Sequence, residues 1–160
     1  MLLVDLITRI KTLAGALEHT SGSPVWAPDS IHATTRHGIG GLPRRFPRLL
    51  IVTEGMEQYG DHGDKLWLME LALASQVNMQ PAVEGEGQIV GQNRATNATL
   101  GAGLATIHAK LVSSINFVDT NANGTHTTWM VPIPGGSAMT AQGSIATCST
   151  RYKALVEVTS

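Results

Sequence analysis

The chain has 160 residues, enough for one domain that buries roughly 70% of its unfolded surface. A net charge of −1 supplies neither a basic field to recruit nucleic acid nor the acidic excess of a solvating tail, and no apolar run approaches the ~18 residues of a membrane span. A single cysteine, Cys148, excludes a disulfide framework and a cysteine-based zinc site.

The first residues, MLLVDLITRIK, have no basic stretch ahead of an apolar core, and Asp5 interrupts the run, so no secretory signal is expected. Within 2–18 the spacing predicts a helix. Leu3, Leu6, Ile7, Ile10, Leu13, Ala14 and Leu17 fall in one stripe about 120° wide, with Asp5, Thr8, Thr12 and Gly15 opposite. Its polar face lacks the basic residues of a membrane-surface helix.

Residues 19–45 show no period and are expected to form a long loop, with Val25 and Trp26 touching the core. The loop contains Gly38-Ile-Gly-Gly41 and the cations Arg36, Arg44 and Arg45. The glycines do not make a dinucleotide fingerprint, because no strand precedes them, no helix follows, and the third glycine is misplaced.

The most pronounced local signal is a hairpin over 46–76. An apolar arm at 47–54 leads into Tyr59-Gly-Asp-His-Gly-Asp64, and a longer apolar arm follows at 65–77. Glycine and aspartate in the connection tolerate tight, left-handed backbone. The next segment, 78–97, is polar and glycine-rich and is expected to be a second long loop.

A second helix is predicted over about 94–115, where Leu100, Leu104, Ile107, Leu111 and Ile115 form a narrow apolar seam flanked by His108. Two strands complete the chain. The first spans 125–133 and is expected to stop at Pro132-Ile-Pro-Gly-Gly-Ser137, where each proline removes a ladder donor. The second spans 144–158 and places Ala146, Cys148, Thr150, Tyr152, Ala154, Val156 and Val158 on one side. The expected class is α+β: a single mixed or antiparallel sheet of about four strands packed by two helices, in the order α-β-β-α-β-β.

Tests for chemistry return little. The six histidines form no His-x-x-x-His pair, and only His62, between Asp61 and Asp64, has adjacent carboxylates. No Gly-x-Ser-x-Gly or phosphate-binding loop occurs. Glu84 and Glu86 lie in a loop ill suited to holding a catalytic pair, and Cys148 is expected to be a small core residue. Aromatic residues make up 4% of the chain, too few for base-stacking strands, and Arg36, Arg44, Arg45 and Arg48 form the one basic patch. No enzyme, cofactor or metal is indicated.

At the central hairpin, Phe46-Pro47, a strand ending near Glu54-Gly-x-Glu57, an acidic turn and a long apolar strand with Trp67 resemble the tail terminator proteins of long-tailed bacteriophages. The order of helix, loop, hairpin, helix and closing hairpin, with Tyr152 near the end, is similar to that family across most of the chain. The resemblance implies a structural virion protein at the tail–neck junction, made in the host cytoplasm. Such a protein forms a hexameric ring on the tail tube, ends tube polymerisation and joins the head connector, while DNA passes through without sequence-specific binding.

Its partners would be copies of itself, the tube protein and the connector protein. Arg36, Arg44 and Arg45 on one loop and Glu84 and Glu86 on the other are the expected interface residues, with opposite charges pairing between protomers. Two alternatives stand beside this reading: a small α/β module binding nucleic acid or a ligand through Arg36, Arg44 and Arg45, and a metal hydrolase using Asp61, His62 and Asp64.

Overall fold

The computed structural model of the chain describes residues 2–18, 22, 24–59, 66–78, 104–115, 117–120, 126–142 and 145–157. The fold is α+β: one mixed sheet with two helices packed on it. Helix α1 spans Leu3–Gly15 and α2 spans Leu104–Ser114. Strands β1 (Ile31–Thr35), β2 (Arg48–Gln58), β3 (Leu66–Asn78), β4 (Phe117–Thr120), β5 (His126–Gln142) and β6 (Ile145–Glu157) lie in the spatial order β1-β2-β3-β6-β5-β4.

The expected hairpins form the sheet's centre. β2 and β3 pair antiparallel from Arg48↔Gln76 to Gln58↔Trp67, and β3 pairs with β6 along its whole length. A bulge between Thr53 and Gly55 lets β2 continue past the glycine where the sequence suggests an end, because the longer β3 still offers it a ladder.

Both helices bury the stripes expected of them against one face. Leu6, Ile10 and Ala14 of α1 are fully buried, with Leu3, Ile7, Leu13 and Leu17 packed around them. Leu104, Ile107, Leu111 and Ile115 do the same at α2, and Leu100 lies outside the described residues. Beneath them the sheet presents Leu49, Ile51, Met69, Leu71, Leu73, Tyr152, Ala154 and Val156. The period-2 pattern of β6 thus places its even-numbered residues on the helix face.

Two short strands extend the expected four. Residues 19–45 are not a continuous loop. They hold β1, a 3-10 turn at Pro28–Ser30 and a 3-10 helix at Arg36–Gly41. None of these pieces is long enough to establish a period. β1 runs parallel to β2, so residues 36–47 must cross back over the sheet, and they do so on the face away from α1 and α2. There Ile39 and Leu42 pack on Leu50, Val52, Ala72 and Ala74. Trp26 and Val25 enter the main core as the sequence suggests.

The second expected loop, 78–97, lies outside the described residues beyond Asn78, as do the start of the second predicted helix and the 60–65 connection. β5 does not stop at its prolines. Its register against β6 passes from Pro132↔Tyr152 to Ser137↔Thr150, so residues 133–136 stand opposite Arg151 alone. That bulge contains Pro134, while Pro132 pairs with Tyr152 at its start, and both lie beyond the part of β5 that β4 covers.

Candidate functional site

The three loop arginines have separate fates. Arg36 donates from Nη2 to Glu54 Oε1, and that bond raises the guanidinium's pKa above its ordinary value. Arg45 Nη1 lies 2.6 Å from Asp29 Oδ2. Both partners belong to the same chain, so the Arg36 and Arg45 charges are engaged within it. Both pairs are exposed at the arginine and contribute little to stability. Arg44 makes neither contact; it sits beside Arg48 at the mouth of a groove. Glu84 and Glu86, together with Asp61, His62 and Asp64, lie outside the described residues. Among the described residues no three His, Cys, Asp or Glu side chains gather in a way that could hold a metal.

The groove is not legible in the sequence as a site. It has a volume of about 390 Å³ and opens on the sheet face away from α1 and α2. Its floor is one cross-strand row: Arg48 of β2 pairs with Gln76 of β3, Gln76 with Thr147 of β6, and Thr147 with Thr140 of β5. Side-chain bonds follow the row. Arg48 Nε donates to Gln76 Oε1 at 2.7 Å, and Gln76 Nε2 donates to Thr147 Oγ1 at 3.1 Å. Arg48 also donates from Nη1 to the Pro43 carbonyl at 3.1 Å, and its guanidinium lies 4.9 Å from the Phe46 ring centroid. In sequence Arg48 belongs to a basic patch, but Gln76 and the rest of the row lie in strands far along the chain.

A second polar group lies inside the helix face. His108 of α2 bridges two strands, with Nδ1 2.8 Å from Ser75 Oγ and Nε2 2.9 Å from Thr150 Oγ1. Ser137 Oγ continues the chain of bonds, 2.9 Å from Thr150 Oγ1. Burial pushes the His108 pKa down to about 4, so the ring is neutral at pH 7, with one nitrogen donating and the other accepting. Ser75 is wholly buried, and the trio acts as a polar clamp between α2, β3 and β6. Cys148 is partly buried beside Val77, Leu104 and Ala146, at the margin of the core, and burial raises its thiol pKa.

The sheet's edges carry the last feature. β4 pairs through Phe117–Thr120 with the first part of β5 and leaves Val131–Gln142 without an outer partner among the described residues. At the opposite edge β1 covers β2 from Leu49 to Thr53 and leaves the part from Gly55 to Glu57 without one among the described residues. The register places these bare segments at diagonally opposite corners: Met56 pairs with Met69 and Met69 with Ala154, at the far end from Arg48 and Thr140.

The sequence matches no protein-family model and no curated protein sequence significantly. Among the described residues no helix is long and apolar enough to cross a membrane.

Proposed function

We propose that the protein is a structural ring-former of the tail terminator type, closing on itself through the two sheet edges that have no outer partner among the described residues, and capping a phage tail tube. One observation carries the reading. Five large hydrophobic side chains are exposed among the described residues, and four of them (Met56, Tyr59, Val131 and Met139) lie on or next to the two edge segments without outer partners. Open edges with exposed apolar side chains are avoided by proteins that stay monomeric.

Their diagonal placement favours a head-to-tail contact, the edge of β5 against the distal edge of β2 in the next copy. Repeated contacts of that kind make a ring when the rotation closes. Backbone pairing across the junction would satisfy donors and acceptors that water now satisfies. The arginine loops then serve within the subunit, orienting residues 36–47 over the open face, instead of pairing between copies. The element order expected from the resemblance supports the same reading.

Electron microscopy of the purified protein, alone and mixed with tail tubes, tests it. Sixfold rings seated on tube ends are the expected result. A protein that stays monomeric at all concentrations and never associates with tubes would sink the proposal.

A further inference from the structure

We infer that the groove over Arg48 is a binding site for a carboxylate, held by Arg48 at its floor and Arg44 at its mouth. Among the described residues, Arg48 carries a charge with no opposite charge bonded to it. Arg48 is 4% exposed, yet every bond it makes goes to a neutral acceptor, the Gln76 amide and the Pro43 carbonyl. The ion pairs among the described residues that involve neighbouring loop cations belong to Arg36 and Arg45. Removing a guanidinium from water without an opposite charge is costly, and native proteins usually supply the counter-ion.

Among the described residues, the charge that acts on Arg48 is a second cation, Arg44. Burial first, and then Arg44, lower the Arg48 pKa, and both effects would be relieved by an anion between the two guanidinium groups. The site is also built rather than incidental. Gln76 takes the Nε hydrogen, the Pro43 carbonyl takes one Nη1 hydrogen and Phe46 lies against the guanidinium, which leaves the remaining Nη hydrogens for a ligand. A rotamer fixed on three sides has already lost the entropy that binding would otherwise cost.

The chemistry of the walls selects the kind of anion. Thr140 and Thr147 offer hydroxyls, while Leu42 and Ile145 offer apolar surface. A small planar anion attached to carbon fits that mixture, since it can use charge-assisted bonds at one end and apolar contact at the other. The carboxylate has two possible sources, a free organic acid and the end of a peptide chain. The inference does not depend on ring formation.

The test is titration of the full-length protein, observed by NMR at the Arg48 Nε–H and the backbone amides of Gln76 and Thr147. The probes are succinate, acetyl-tetraalanine as free acid and as amide, inorganic phosphate, and sodium chloride at matched ionic strength. Saturable shifts with succinate support a free acid as the source. Shifts with the peptide acid, absent with its amide and with succinate, support a chain end.

Arg44→Ala, a change at an exposed side chain, is expected to weaken either response about tenfold, and Arg48→Met to abolish it. Arg48→Met should still fold, because the uncompensated charge it removes offsets the donors lost to Gln76 Oε1 and the Pro43 carbonyl. The inference is overturned if chloride reproduces the shifts, if phosphate binds more tightly than both carboxylates, if no probe moves these signals, or if Arg48→Met still binds.

Discussion

His108 shows how far one side chain can set the response of the whole fold to pH. Its folded pKa, about 4, lies below the unfolded value near 6.5, so the unfolded chain takes up a proton that the folded chain refuses. Stability from this group is complete above pH 6.5 and falls as pH drops toward 4. The loss is up to about 1.4 kcal/mol per pH unit, reaching roughly 3 kcal/mol at the lower end. His32, whose pKa is also lowered, by burial and then by the charges of Arg48 and Lys11, acts in the same direction. Urea unfolding of the parent protein should therefore give a clear decline between pH 6.5 and 5, above the range where most carboxylates titrate. His108→Gln should flatten most of that slope whatever it does to the absolute stability. An unchanged slope in the variant would mean that the imidazole is solvated and that the clamp to Ser75 and Thr150 is not formed.

Elements with a long, regular period are legible in the sequence itself: both helical stripes, the two arms of the central hairpin, and β6 with its even-numbered residues on the helix face, all buried from Thr150 to Val156. What escapes sequence reading is short or interrupted. β1 is the five-residue strand IHATT, whose neighbour β2 is parallel and set by tertiary packing, and local sequence carries no signal for that pairing. The groove is hidden for a related reason, since Arg48, Gln76, Thr147 and Thr140 meet only through register across four strands. Pro132 predicts an early end to β5 because a proline argues against a central strand, yet the bulge and the bare edge remove the objection. The bulge depends on its glycines. Gly135 has φ +69°, and a Cβ on Gly136 would stand 2.8 Å from the Ile133 carbonyl oxygen. Gly136→Ala should cost about 1–3 kcal/mol in thermal or chemical unfolding, because backbone must move to admit the methyl group. Gly40→Ala, where an added Cβ meets nothing within 4 Å, should stay within about 0.5 kcal/mol.

At the scale of the whole molecule, β1 covers part of β2's outer edge and β4 only the first part of β5's, and the remainder of each has no outer partner among the described residues, at diagonal corners. A subunit with two different bare edges can assemble head to tail, whereas a twofold contact would bring like edges together. Substitutions to lysine distinguish the two, because a charge on an edge strand blocks strand addition without disturbing the core. Met56 and Met139, 42% and 47% exposed, are suitable positions on opposite edges, and neither change should lower the unfolding midpoint appreciably. In the proposed ring, Met56→Lys and Met139→Lys alone should each be monomeric by sedimentation or light scattering. Mixed together, they should form dimers and nothing larger. The Met56→Lys subunit keeps its β5 edge and the Met139→Lys subunit keeps its β2 edge, so one junction forms and neither remaining edge can extend it. A twofold contact through β5 predicts otherwise: Met56→Lys would assemble as the parent does, and mixing would add nothing. That result would replace the head-to-tail ring with a dimer while leaving the sheet and its edges as described.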